Sequence, residues 1–178
     1  MQQVIQESAE VYYVAPSGAA PVATVGDEEI AFLKERAAAN PRLRCRLCLH
    51  AAPSAVQHEM LIVHHRSCYV RPHQHAHKSE SLIVIEGDAL AFTFDDGGRV
   101  TSTVRLGVAG GGENCSYFMP AGTWHGLVIR SEWLVFIEAA AGPFERSETV
   151  FPAWAPDGHD APAAAAYVDA LAAGVTAA

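Results

Sequence analysis

From Arg42 to Ile137 the chain is a succession of short apolar runs cut by turn signals, and this limits the folds open to it. Met60 to Val63 is one run, and Ser81 to Ile85 leads into Glu86-Gly87. Ala89 to Phe94 enters the turn Asp95-Asp96-Gly97-Gly98, with Arg99 to Leu106 as the returning strand of a hairpin. Tyr117 to Met119 lies between the Gly110-Gly111-Gly112 loop and the turn Pro120-Ala121-Gly122, and Leu127 to Ile129 and Trp133 to Ile137 follow. Runs of this length with a two-residue period, and without strand–helix–strand alternation, predict an all-β sandwich or barrel. In the leading strand, Arg42 to His50, Leu43 and Cys45 alternate with Arg44 and Arg46, which reads as a solvated arginine face.

The flanks differ. The first twenty-five residues are rich in Ala, Pro, Ser and Gly and read as a tail with a short strand at Val11 to Val14. Asp27 opens an amphipathic helix, EEIAFLKERAAA, with acidic residues where the helix dipole favours them and a stop at Asn40-Pro41. After Gly142-Pro143 the period is lost. Trp154 falls in a Pro-rich loop, and the Ala-rich stretch from Asp160 carries Tyr167, Val168 and Leu171 as a docking stripe for a short helix. The expected organisation is a tail (1–26), a helix and leading strand (27–50), a barrel (51–144) and a C-terminal extension (145–178).

Twelve basic against twenty acidic residues give a net charge of −8, which repels phosphate backbones and anionic lipid. Neither a nucleic-acid nor a membrane partner is expected, and the N-terminus lacks the pattern of a signal peptide, so the expected compartment is the cytoplasm. Cys45 and Cys48 have zinc-ribbon spacing, but no second such pair follows. The four cysteines therefore read as buried free thiols.

Histidine is the concentrated residue: of nine, five lie between His64 and His77. Residues two apart on a strand share a face, so His73 and His75 point at one spot, with Tyr69 and Arg71 on that face if the strand continues upstream. Glu80 lies at an odd offset from His75, and a turn through Ala76 to Ser79 is needed to bring it back. It reads either as a ligand or as an acceptor that fixes a histidine tautomer. His125, just past the Pro120-Ala121-Gly122 turn, closes the set from another strand. Imidazoles and a carboxylate on one side of an ion leave open positions for water or substrate. His64 and His65 are adjacent, so only one faces inward, and His50, His58 and His159 read as surface residues. His77 reads as a rim residue, Lys78 either as a substrate anchor or as a surface lysine, and Trp124 as barrel-end packing or a sugar-stacking ring.

The pattern His73-Gln74-His75, four residues, Glu80, six residues, Gly87 resembles the first cupin motif, and Pro120-Ala121-Gly122-Thr123-Trp124-His125 resembles the core of the second. Arg71 to Ser81, Ile85-Glu86-Gly87, His58-Glu59-Met60, Gly142-Pro143-Phe144 and Trp154-Ala155-Pro156 are similar to the WbuC-type cupin metalloproteins. Ser67, Asn114 and Ile129 depart from the motifs at turn or outlying positions. The resemblance implies a double-stranded β-helix (jelly-roll barrel) with one divalent metal, Fe, Zn, Mn or Ni, on His73, His75, Glu80 and His125. It also implies a homodimer, with Trp133 and the N-terminal segment as interface pieces. The expected function is an isomerase- or epimerase-like enzyme for a small polar substrate, such as a sugar or nucleotide-sugar precursor of surface polysaccharide, with Tyr69, Arg71 and Lys78 as catalytic or orienting groups. An Fe(II)-dependent dioxygenase and a non-catalytic metal- or sugar-binding module are the alternatives.

Overall fold

A computed structural model describes residues 3–15 and 22–176. Its core is two facing sheets. The larger has the order β1 (Val4–Gln6), β2 (Val11–Val14), β3 (Arg44–Cys48), β4 (Gln57–His65), β11 (Trp133–Ala141), β6 (Glu80–Glu86), β9 (Ser116–Met119). The smaller has the order β10 (Trp124–Ile129), β7 (Asp88–Phe94), β8 (Val100–Gly107), and a two-stranded ribbon pairs β5 (Gln74–His75) with β12 (Thr149–Val150). From β6 to β11 the chain leaves the large sheet for β7 and β8, returns at β9, crosses again at β10 and returns at β11. That alternation between two antiparallel sheets is the jelly-roll, double-stranded β-helix topology of cupins.

Several runs are apolar on both faces because helices cover the outer side. Ala89, Ala91, Leu127 and Ile129 face the interior with Leu82, Leu134 and Phe136. Their strand neighbours Leu90, Phe92 and Val128 face outward and are buried under Val168 and Leu171 of α2 (Ala161–Thr176). Two residues of the predicted docking stripe, Val168 and Leu171, thus pack there, and the Tyr167 hydroxyl is buried without a hydrogen-bond partner. On the other side α1 (Asp27–Ala38) sets Leu33 and Ala37 on Leu47, Leu61, Val63 and Val135. Glu29 reaches back to the Gly26 amide at 3.0 Å, which fixes the start of α1. Cys45, Cys48 and Cys68 are buried thiols pushed up to about 11 by burial, while Cys115 is only half-buried.

Several expectations are corrected. The strand read at Val11 to Val14 is β2, but the segment is no bare tail: β1 precedes it, and the two extend the large sheet, β2 pairing parallel with β3. Arg44 and Arg46 do not form a solvated face, because they share the inner side of β3 with Cys48 while Cys45 and Leu47 face α1. Arg44 is drawn to Glu10 at 2.9 Å. His58 is buried and stacks on His50, with ring centroids 4.0 Å apart. Of the adjacent pair, His64 is the inward one, set edge-on to Phe136.

Candidate metal centre

Three chain segments meet at one end of the barrel interior. His75 ends the two-residue strand β5, and His73 precedes it in an isolated bridge to His125 on β10, closed by reciprocal backbone bonds of 2.9 Å. The strand does not continue upstream past Tyr69 and Arg71: only Gln74 and His75 are regular. The bend at 76–79 reverses the direction as the odd offset required, and Glu80 enters β6 facing the histidines.

Among the described residues, His73, His75 and His125 form the one cluster whose ligand atoms all lie within 4.8 Å of one another. Two metal–nitrogen bonds of about 2.1 Å span at most about 4.2 Å, so a small inward rotation of the rings suffices for a shared ion. Glu80 sits against two of the three, Oε2 lying 3.4 Å from His75 Nε2 and Oε1 3.3 Å from His125 Nε2.

The tautomers fit a cation. His73 Nδ1 lies 2.9 Å from the Arg71 carbonyl and His125 Nδ1 2.8 Å from the Thr123 carbonyl. A carbonyl only accepts, so both Nδ1 atoms carry a proton, and in the neutral ring Nε2 is left with a lone pair. His125 Nε2 is buried, makes no well-formed hydrogen bond, and faces a carboxylate oxygen. Two acceptors so placed repel unless a proton or a metal ion lies between them. The residues present therefore fit a metal: neutral imidazoles oriented by backbone carbonyls, with a carboxylate beside them.

The electrostatics set the two carbonyl-anchored imidazoles apart. Burial pushes the His73 imidazole down to about 4, His125 adding to the shift. At Glu80 burial acts upward, but the contacts with His125 and His75 outweigh it and hold the carboxyl well below its usual range. At His125 burial acts downward and the Glu80 contact prevails, raising it.

The other expected site residues are engaged elsewhere. The Tyr69 hydroxyl donates to the Pro156 carbonyl at 3.0 Å, and Arg71 donates to the Pro152 carbonyl at 3.1 Å and lies over the Phe151 ring. Lys78 is not a surface lysine: it is buried and paired with Glu148 at 3.1 Å. All three hold the segment 145–156 across the mouth, where Phe151 comes within 6.1 Å of His73. His77 is exposed, as expected. Trp124 packs edge-on to Trp154 and donates to Asp96.

Two residues of the site were not read from the sequence. Tyr117 donates to Glu80 Oε1 at 3.1 Å and is itself partly buried against the interior cluster. Glu138 lies on the inner face of β11, and burial, followed by the charge of Glu80, pushes it up to about 8. The signal was parity: Glu138 follows Leu134 and Phe136 at two-residue spacing on an apolar face.

Fold and site together define a cupin barrel with a three-histidine donor cluster. A family model described as "Domain of unknown function (DUF6016)" matches residues 25–106, which include His73, His75 and Glu80 but not His125. No curated protein matches. Solved structures of similar shape include KdgF from Halomonas sp., 18% identical over 61% of this chain and 84% of that one, TM-score 0.47. Another is a cupin 2 conserved barrel domain protein from Rhodopseudomonas palustris, 16% identical over 61% of this chain and 66% of that one, TM-score 0.47. Among the described residues no helix is long and apolar enough to cross a membrane.

Proposed function

We propose that this protein is a metal-dependent cupin in which His73, His75, His125 and Glu80 hold one divalent ion. In this reading it is of the WbuC type and acts on a small polar molecule such as a sugar or sugar-nucleotide precursor, in the manner of an isomerase or epimerase. The observation that carries the reading is the pair of carbonyl-anchored imidazoles at His73 and His125, with the buried Nε2 of His125 turned on Glu80. A bound ion supplies Lewis-acid polarisation of a substrate carbonyl or hydroxyl pair. The chain itself orients the imidazoles, holds the Glu80 oxygens through Tyr117, and narrows the mouth with Phe151.

The test is elemental analysis of untagged protein, with thermal unfolding before and after chelation. About one ion per chain is expected. Ion at a hundredfold excess over its dissociation constant adds about 2.7 kcal/mol of stability, and this gain is lost in His73→Ala and His125→Ala. Absence of a stoichiometric ion, with melting indifferent to added Mn, Fe, Ni or Zn, would refute the proposal.

A further inference from the structure

Helix α1 covers only part of the outer face of the large sheet. Leu33 and Ala37 close it over β3, β4 and β11, and Lys34 marks the border by pairing with Glu86 at the end of β6, at 2.6 Å. Beyond that border the outward residues of β6 and β9 are apolar and bare: Ile83 is 48% exposed, Ile85 45% and Phe118 67%. Leu82 and Val84, between them on β6, point into the barrel, so the exposure belongs to one ordered face of the sheet. Phe118 stands opposite Ser81, and Ala139 of β11 flanks Ser81 on its other side. With Ala141 and with Val56, which precedes β4 and is 84% exposed, these small residues form a shallow groove of about 240 Å³ that has Phe118 in its wall.

Charge, area and shape each bear on what covers this face. The chain carries a net charge of −8, yet the groove's only ionisable residue is Glu80, whose carboxylate is turned inward to the imidazoles. Glu59, opposite Ala139, and the Lys34–Glu86 pair stand at the border as a polar rim. A charge near a two-fold axis meets its own copy, so a neutral centre suits pairing of identical chains, whereas a basic partner would call for acidic groups there. At the exposures above, the four large apolar side chains present roughly 450 Å² to solvent, and a stable interface of about 800 Å² per partner is about 60% apolar, which is nearly the same area. The face also carries both a knob, Phe118, and beside it a hollow with room for an aromatic ring, which is the self-complementarity of an isologous contact. Residues 16–21, outside the described set, are Pro, Ser, Gly and Ala and offer no apolar anchor to fill that hollow.

We infer that this face is occupied by a second copy of the chain, in a two-fold dimer where Phe118 of each protomer enters the groove of the other. The contact lies at the end of β11 away from Trp133, and at the edge of the large sheet opposite to β1. It does not depend on the metal reading. Because the groove runs along Ser79, Glu80 and Ser81, the second copy backs the bend that turns Glu80 toward the histidines.

The experiment is sedimentation velocity of the full chain over a concentration series, with far-ultraviolet circular dichroism to check that each variant folds. The 19.0 kDa chain should sediment as a dimer. Phe118→Ser, which removes the knob, and Ala139→Trp, which fills the hollow, should each raise the dimer dissociation constant at least about a hundredfold. Ile83→Lys, which sets like charges on the shared face, should do the same and stands in for either variant that does not fold. Val100→Ser removes an exposed apolar side chain from the small sheet and should leave the constant within about twofold of wild type. A monomer at every concentration, assembly beyond two copies, or a dimer that withstands the folded variants on this face would overturn the inference.

Discussion

His64 gives the sharpest test of the barrel interior, because it lies away from the donor cluster. It is buried on the inner face of β4, edge-on to Phe136 at 5.3 Å, with Nδ1 unpartnered. Burial, and then the charges of Arg44, Arg46 and Arg42, push its imidazole down to about 3. Its folded value thus lies below the unfolded value of about 6.5, so folding favours the neutral ring. That contribution is complete above pH 6.5 and is lost as pH falls toward 3. Between pH 7 and pH 4.5 the linkage amounts to about 2.5 kcal/mol. His64→Leu removes it. At pH 7 the substitution is close to neutral, within about 1 kcal/mol, because loss of an aromatic edge contact offsets removal of an unpaired nitrogen. At pH 4.5 the variant should be the more stable by about 2–3 kcal/mol, or about 5–10 °C in Tm for a chain of this size. Urea unfolding of both proteins at the two pH values is the assay, and His73, shifted down in both, cancels in the comparison. A stability difference that stays the same at pH 7 and 4.5 would refute the reasoning, since the ring would then titrate alike folded and unfolded.

Three further outcomes are expected. Tyr117→Phe, which deprives Glu80 Oε1 of its hydroxyl donor, should weaken metal affinity 10–100-fold in competition with a chelator while leaving the fold intact. Trp154→Ala, which strips Phe94 and Trp124 of the ring packed at 5.1 and 6.0 Å, should cost about 3 kcal/mol in chemical denaturation. Gly87→Ala should cost at least about 2 kcal/mol by the same measurement, because φ is +84° there and a Cβ would collide with the Trp133 carbonyl and the Ser131 side chain.

The barrel was legible because turn chemistry and two-residue periodicity are local. The hairpin at Asp95-Asp96-Gly97-Gly98 and the helix at Asp27 stand where they were read. The histidine cluster was legible from strand parity and one turn. The partners that lie far along the chain were not. Tyr69, Arg71 and Lys78 share parity or proximity with the cluster, yet their polar atoms are claimed by residues seventy to eighty-seven positions later. Burial of His58 likewise depends on a stack with His50 and on a loop carbonyl at Pro53, neither of which a strand pattern encodes. Arg46 was misread because alternation tells which residues share a side but not which side meets water.

The ribbon of β5 with β12 carries a consequence for biogenesis. Thr149 meets His75 across seventy-four positions, so the rim that seats this imidazole is contributed by a segment made well after the barrel strands. The three imidazoles are all present in the chain once His125 has been made, yet the last wall around them waits for Val150.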